Sequence, residues 1–136
     1  MEADPDAGWQ PFLSELARAA DLCLRPHRHA LRFQGEPPSA DETSGSISSD
    51  CILLIDARDD RGARRCEGDL ELEIYRSGST LHLMLTRLAD DQWPLLWHGD
   101  HPVWMDPSNG LRCERPADGA PFEAFCRRVR DLLRGG

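Results

Sequence analysis

Apolar residues recur every three or four positions through Trp9, Phe12, Leu13, Leu16, Ala20 and Cys23. That spacing gathers them on one helical face and predicts a helix over residues 9 to 25. Pro11 suits its first turn and Pro26 ends it. From 27 to 33 the period drops to two, with His27, His29, Leu31 and Phe33 on one side and Arg28, Ala30 and Arg32 on the other, the pattern of a strand. Residues 34–49 carry Pro, Gly, Ser and acids with almost nothing to bury and read as one long polar loop.

The run Cys51 to Ile55 is continuously apolar, as in a strand covered on both faces, and a charged turn around Asp60, Arg61 and Gly62 follows it. Two alternating runs come next, Leu70-Leu72-Ile74 and Leu81-Leu83-Leu85. A two-residue Ser77-Gly78 turn would set Ile74 opposite Leu81, Leu72 opposite Leu83, Leu70 opposite Leu85 and Glu73 opposite His82. Short strands are expected at 93–98, 103–105 and 111–115, with Pro94 sending the first to a sheet edge. The DPSNG segment before the last of them has the composition of a type I turn followed by a left-handed glycine. A final helix over 121–134 carries Phe122, Phe125, Cys126, Val129, Leu132 and Leu133 on one stripe, with Asp118 as its cap. Helix, six or seven strands, helix, without βαβ alternation, predicts an α+β fold: a mainly antiparallel meander sheet with the N- and C-terminal helices packed on one face.

Length and charge narrow this picture. With 136 residues, one domain over 9–136 is expected, preceded by a frayed acidic tip at 1–8. Leu, Ile, Val and Phe number 28, of which 18 are Leu, so the core is thin and leucine-rich. The net charge of -8 opposes nucleic acid and anionic lipid at long range, and no apolar run approaches the roughly 18 residues of a spanning helix. All 16 basic residues are Arg, which excludes lysine-based covalent or general-base catalysis. Five cysteines without CxxC spacing, behind an acidic N-terminus unlike a signal peptide, point to a reducing cytoplasm.

Candidate chemistry lies in few places. His98, Asp100 and His101, with Asp106 just beyond, form the densest set of ligand types, suited to a divalent transition metal if the turn brings them together. His27 and His29 share a face, with Cys51 as a third donor if it lies alongside. Glu73 across from His82 has the make-up of a carboxylate orienting an imidazole, which Tyr75 can join, yet no nucleophile accompanies it. Arg25, His27, Arg28, His29 and Arg32 form one basic stretch, and Arg127, Arg130 and Arg134 fall on one flank of the last helix around Glu123, a stripe suited to an acidic protein partner. Trp93, Trp97 and Trp104 cluster with Leu95, Leu96, Val103 and Met105, and the alternation leaves both faces of 93–98 apolar. An apolar second face is the kind enriched in interfaces. Dinucleotide, Walker, HExxH and EF-hand motifs are absent, so no cofactor is implied.

Small size, acidity and the missing catalytic motifs favour a non-enzymatic, partner-binding or assembly-accessory protein that uses Trp93, Trp97, Trp104 and Met105, with Arg127, Arg130 and Arg134 toward a protein partner. The alternatives are a small metal-dependent enzyme at His98, Asp100, His101 and Asp106, and a ligand carrier with an apolar cavity beneath the 34–49 loop.

Overall fold

A computed structural model of the chain describes residues 9–35, 50–77, 80–90 and 92–134. The expected acidic tip, and the 34–49 loop beyond Gly35, lie outside the described residues. The order is α1 (Gln10–Cys23), β1 (Arg28–Phe33), β2 (Cys51–Arg58), β3 (Leu70–Ser77), β4 (Thr80–Arg87), β5 (Leu95–His98), β6 (Pro102–Met105), β7 (Arg112–Cys113) and α2 (Ala120–Leu133). All seven strands pair antiparallel in sequence order, a pure meander, and α1 and α2 lie side by side on one face. The expected α+β architecture is thus present with seven strands. No described helix is long and apolar enough to cross a membrane.

Alternation in the strands aims one side chain in two at the helices. Leu53, Ile55, Leu70, Leu72, Ile74, Leu81, Leu83, Leu85 and Leu96 meet Leu13, Leu16 and Ala20 of α1 and Phe122, Phe125, Cys126 and Val129 of α2 in one cluster. Phe125, Leu16 and the central strand leucines are fully buried and form the close-packed centre of that cluster. The charged turn after β2 forms as expected: Gly62 takes φ +89°, and the Asp59 carboxylate accepts the amides of Arg61 and Ala63 at 2.9 Å each. In the turn after β6, Gly110 takes φ +70° and donates its amide to the Asp106 carbonyl at 2.8 Å.

Four expectations are corrected. The β3–β4 ladder pairs Ile74 with Leu83, Leu72 with Leu85, Leu70 with Arg87 and Tyr75 with His82, two residues away from the predicted register. It closes at Ser77 opposite Thr80, and Gly78 and Ser79, between them, lie outside the described residues. A shift of two preserves which face each residue occupies, so the apolar alternation is satisfied equally by both registers. Glu73 consequently faces Met84 rather than His82. Pro94 does not send its strand to an edge: β5 begins after it, at Leu95, and lies between β4 and β6, leaving β1 and β7 as edges. Asp118 does not cap α2, whose N-cap is Gly119 without a side-chain bond; the Asp118 carboxylate meets the Arg87 guanidinium at 3.4 Å instead.

Candidate functional site

The sheet has two unlike faces. Over the face turned away from the helices, the ladder aligns Ile52, Glu73, Met84, Trp97 and Val103 in one row across five strands, with Leu54 and Glu71 beside it and Leu95 paired to Met105 at the far end.

 The paired Leu95 and Met105 are half-buried, as are Ile52, Leu54, Met84, Trp97 and Val103, and no described helix covers them. An antiparallel sheet with one solvated face ordinarily makes that face polar; here it is substantially apolar.

Its centre is a stack of three rings. Tyr75 and His82, directly opposite across β3 and β4, lie 5.0 Å apart at 24°, and His82 and Trp97 lie 5.3 Å apart at 26°. The Trp97 indole N–H donates to the Tyr75 hydroxyl at 3.1 Å, closing the stack. Gly99 makes room for it: a Cβ there would sit 2.5 Å from the edge of the Trp97 ring. The sequence pattern found the members of this stack separately, with His82 matched to Glu73 and Tyr75 as an accessory, because only the true register sets Tyr75 across from His82. Nothing in the pattern marked Gly99 beyond its place in a turn.

The three tryptophans do not share a surface. Trp93 precedes β5, so strand alternation does not govern it, and its ring packs edge-on against Trp104 at 5.1 Å and Phe122 at 5.0 Å on the helix side. The Arg87 guanidinium lies 4.8 Å from the Trp93 ring centroid. Trp104 is buried beneath α2, where its N–H donates to the Glu123 carboxylate at 2.7 Å. Trp97 and Met105 alone of the predicted set belong to the open face.

The metal-type residues are also dispersed, and among the described residues no group of three or more His, Cys, Asp or Glu could hold a metal ion. Asp106 is turned into its own loop, accepting the Ser108 amide at 2.9 Å and hydroxyl at 2.7 Å, which hold its carboxyl below the usual range. His29 is bound to Asp21, whose carboxylate meets its ring at 3.0 Å and its amide at 2.7 Å. Burial still holds the His29 pKa below the ordinary imidazole value, against the pull of Asp21. His29 pairs with Ala57 in the ladder, whereas Cys51 stands at the other end of β2, roughly 20 Å away at strand spacing. Burial raises the Cys51 thiol to about 12, so neither position favours a thiolate ligand. Arg32 of the basic stretch is engaged by Asp56 at 3.2 Å.

Two sets predicted apart do come together. The β5–β6 turn packs against the last turns of α2, forming a pocket of about 390 Å³ lined by His98, Asp100, His101, Arg127, Arg130 and Arg134, with Pro102 and Asp131. Arg130 is buried, 5 % exposed, and donates to the Leu81 carbonyl at 2.8 Å; Asp100 stands 3.7 Å from it. Burial, then the Arg134 charge, pulls the Arg130 pKa below its usual value. His98 is buried at the pocket wall, and burial followed by the charges of Arg130 and Arg127 keeps it below the normal imidazole range. Helical spacing had placed the three arginines on one flank; that β5 and its turn would cover only Arg130 is a tertiary fact.

Residues 13–132 match the family model described as domain of unknown function (DUF8659). The chain belongs to the DUF8659 family. No curated protein and no solved structure matches it. In this family member the matched span runs from within α1 to within α2, so it takes in the whole sheet and all of both candidate surfaces except Arg134.

Proposed function

We propose that this chain is a non-enzymatic, partner-binding or assembly-accessory protein whose contact surface is the open face of the sheet. One observation carries the reading: a face without a described covering layer bears half-buried Ile52, Leu54, Met84, Val103 and Met105 around the Tyr75, His82 and Trp97 stack. Aromatic and methionine side chains are enriched in interface centres, and a stacked indole fixed by a hydrogen bond loses little conformational freedom on docking. Glu71 and Glu73 lie among these groups and would orient a partner that carries apolar residues beside basic ones.

The test is affinity capture from an extract of the source cells by the wild-type protein and by Trp97→Ala, followed by hydrogen exchange on the purified complex. The expected result is a partner retained by the wild type, lost or weakened at least tenfold by Trp97→Ala, and protecting amides of β3, β4 and β5. Undiminished capture by a folded Trp97→Ala variant, or protection confined to the helices, refutes the reading.

A further inference from the structure

The pocket between the β5–β6 turn and the end of α2 supplies more cationic donors than its own fold uses. Arg127 and Arg134 are exposed and have no ion pair among the described residues, while Asp100, the carboxylate nearest Arg130, is 81 % exposed and stands at 3.7 Å, beyond hydrogen-bond distance. The His98 side chain is buried, lines the pocket, and its Nδ1 has no hydrogen-bond partner. A buried polar atom without a partner is unusual in a folded protein and costs stability unless something completes it. Three guanidiniums against the carboxylates of Asp100 and Asp131 leave the lining with a local positive excess in a chain whose net charge is -8.

From this geometry we infer that the pocket is a binding site for a phosphoryl group. The donors converge from two sides, Arg127 and Arg130 of α2 with Arg134 at its C-cap on one, and His98 at the end of β5 with His101 in the turn after it on the other. A tetrahedral phosphoryl group presents three acceptor oxygens in different directions and carries close to two negative charges near neutral pH. A carboxylate presents two coplanar oxygens, which one arginine fork satisfies by itself. The spread of donors therefore fits the phosphoryl group better, with Arg130 as the fixed inner donor and Arg127 and Arg134 as the outer pair. This site does not involve the open sheet face, so either can exist without the other.

Titration of the full chain with inorganic phosphate, followed by the imidazole and arginine side-chain resonances in NMR at constant ionic strength, tests the assignment. Saturable shifts are expected at His98, His101 and the three arginines, with little response to succinate. The double variant Arg127→Gln with Arg134→Gln, whose positions are exposed and therefore compatible with folding, should weaken phosphate binding at least tenfold. Arg130→Gln should do the same if it folds, although its loss also frees the Leu81 carbonyl. A phosphoserine peptide that binds tighter than phosphate places the group on a partner chain, and glycerol phosphate that does so places it on a small molecule; both support the site. Succinate binding as well as phosphate, non-saturating shifts, or wild-type affinity in the folded double variant would overturn it.

Discussion

Trp97 and Trp104, on neighbouring strands, project from opposite faces of one sheet, and their indole N–H groups meet unlike partners. Trp104 donates at 2.7 Å to the Glu123 carboxylate beneath α2, and Trp97 donates at 3.1 Å to the Tyr75 hydroxyl on the open side. The first is enclosed by Trp93, Phe122 and a helix; the second is half-buried and held by two stacked rings. One residue type, one fold and two environments separate a side chain that the architecture requires from one that it merely positions. The contrast makes definite demands.

The largest concerns the tryptophans themselves. Trp104→Ala should destabilise the protein by about 3–5 kcal/mol in urea unfolding, since it opens a cavity and leaves the buried Glu123 carboxylate with only the 3.5 Å Arg115 contact. Trp97→Ala should cost less, about 1.5–2.5 kcal/mol, since its ring is only partly covered and its removal opens no closed cavity. Equal losses would mean that the open face is structural after all. A finer form of the comparison uses glycines. A Cβ on Gly119 would meet Arg115 at 2.6 Å, the buried Trp104 ring at 2.9 Å and the Pro116 carbonyl at 3.1 Å; the ring is fixed by the core and the carbonyl by the backbone, so Gly119→Ala should cost about 1–3 kcal/mol. A Cβ on Gly99 meets only the Trp97 ring, which can swing outward; Gly99→Ala should cost under about 1 kcal/mol while moving Trp97 emission to the red and breaking its bond to Tyr75.

Acid should also act through the covered face. His98 and His29 are both held below the usual imidazole pKa, so the unfolded chain takes up protons that the folded one refuses. Their contribution is intact above about pH 6.5 and is lost as pH falls toward the folded values, with a slope of up to about 1.4 kcal/mol per pH unit for each histidine. Stability measured from pH 7.5 to 5 should decline accordingly, and His98→Gln should flatten the decline; an unchanged slope would place the acid sensitivity elsewhere. The smallest effect is on the surface, where Arg18→Ala, removing a 3.9 Å pair with Glu15, should change stability by less than about 0.5 kcal/mol in the same unfolding assay.

What the sequence disclosed follows from the range of the forces involved. Alternation at Leu70, Leu72 and Ile74 and at Leu81, Leu83 and Leu85 is written locally, so both strands and the face they bury were legible. Their register was not, because sliding by two residues returns every side chain to the same face; the Tyr75 and His82 pairing distinguishes the alternatives only once it is seen. Trp93 was misplaced because alternation applies inside a strand, and Pro94 stands between it and the start of β5. The candidate pocket was legible in halves. The histidine turn and the arginine stripe were each visible, but their meeting depends on where α2 lands on the sheet, which no local pattern records.

The strictly sequential order of the seven strands has a kinetic counterpart. Each strand finds its partner in the next, so the β1 to β7 ladder can grow by adding successive hairpins, without the wide chain closures that slow Greek-key and parallel sheets. The contact between α1 and α2 is different in kind, since it joins the first element to the last. Docking of α2 against α1 is therefore the natural late step of folding. In ratio tests that compare folding and unfolding rates of variants, side chains between the helices should alter mainly the unfolding rate, and those within the β3–β4 hairpin the folding rate.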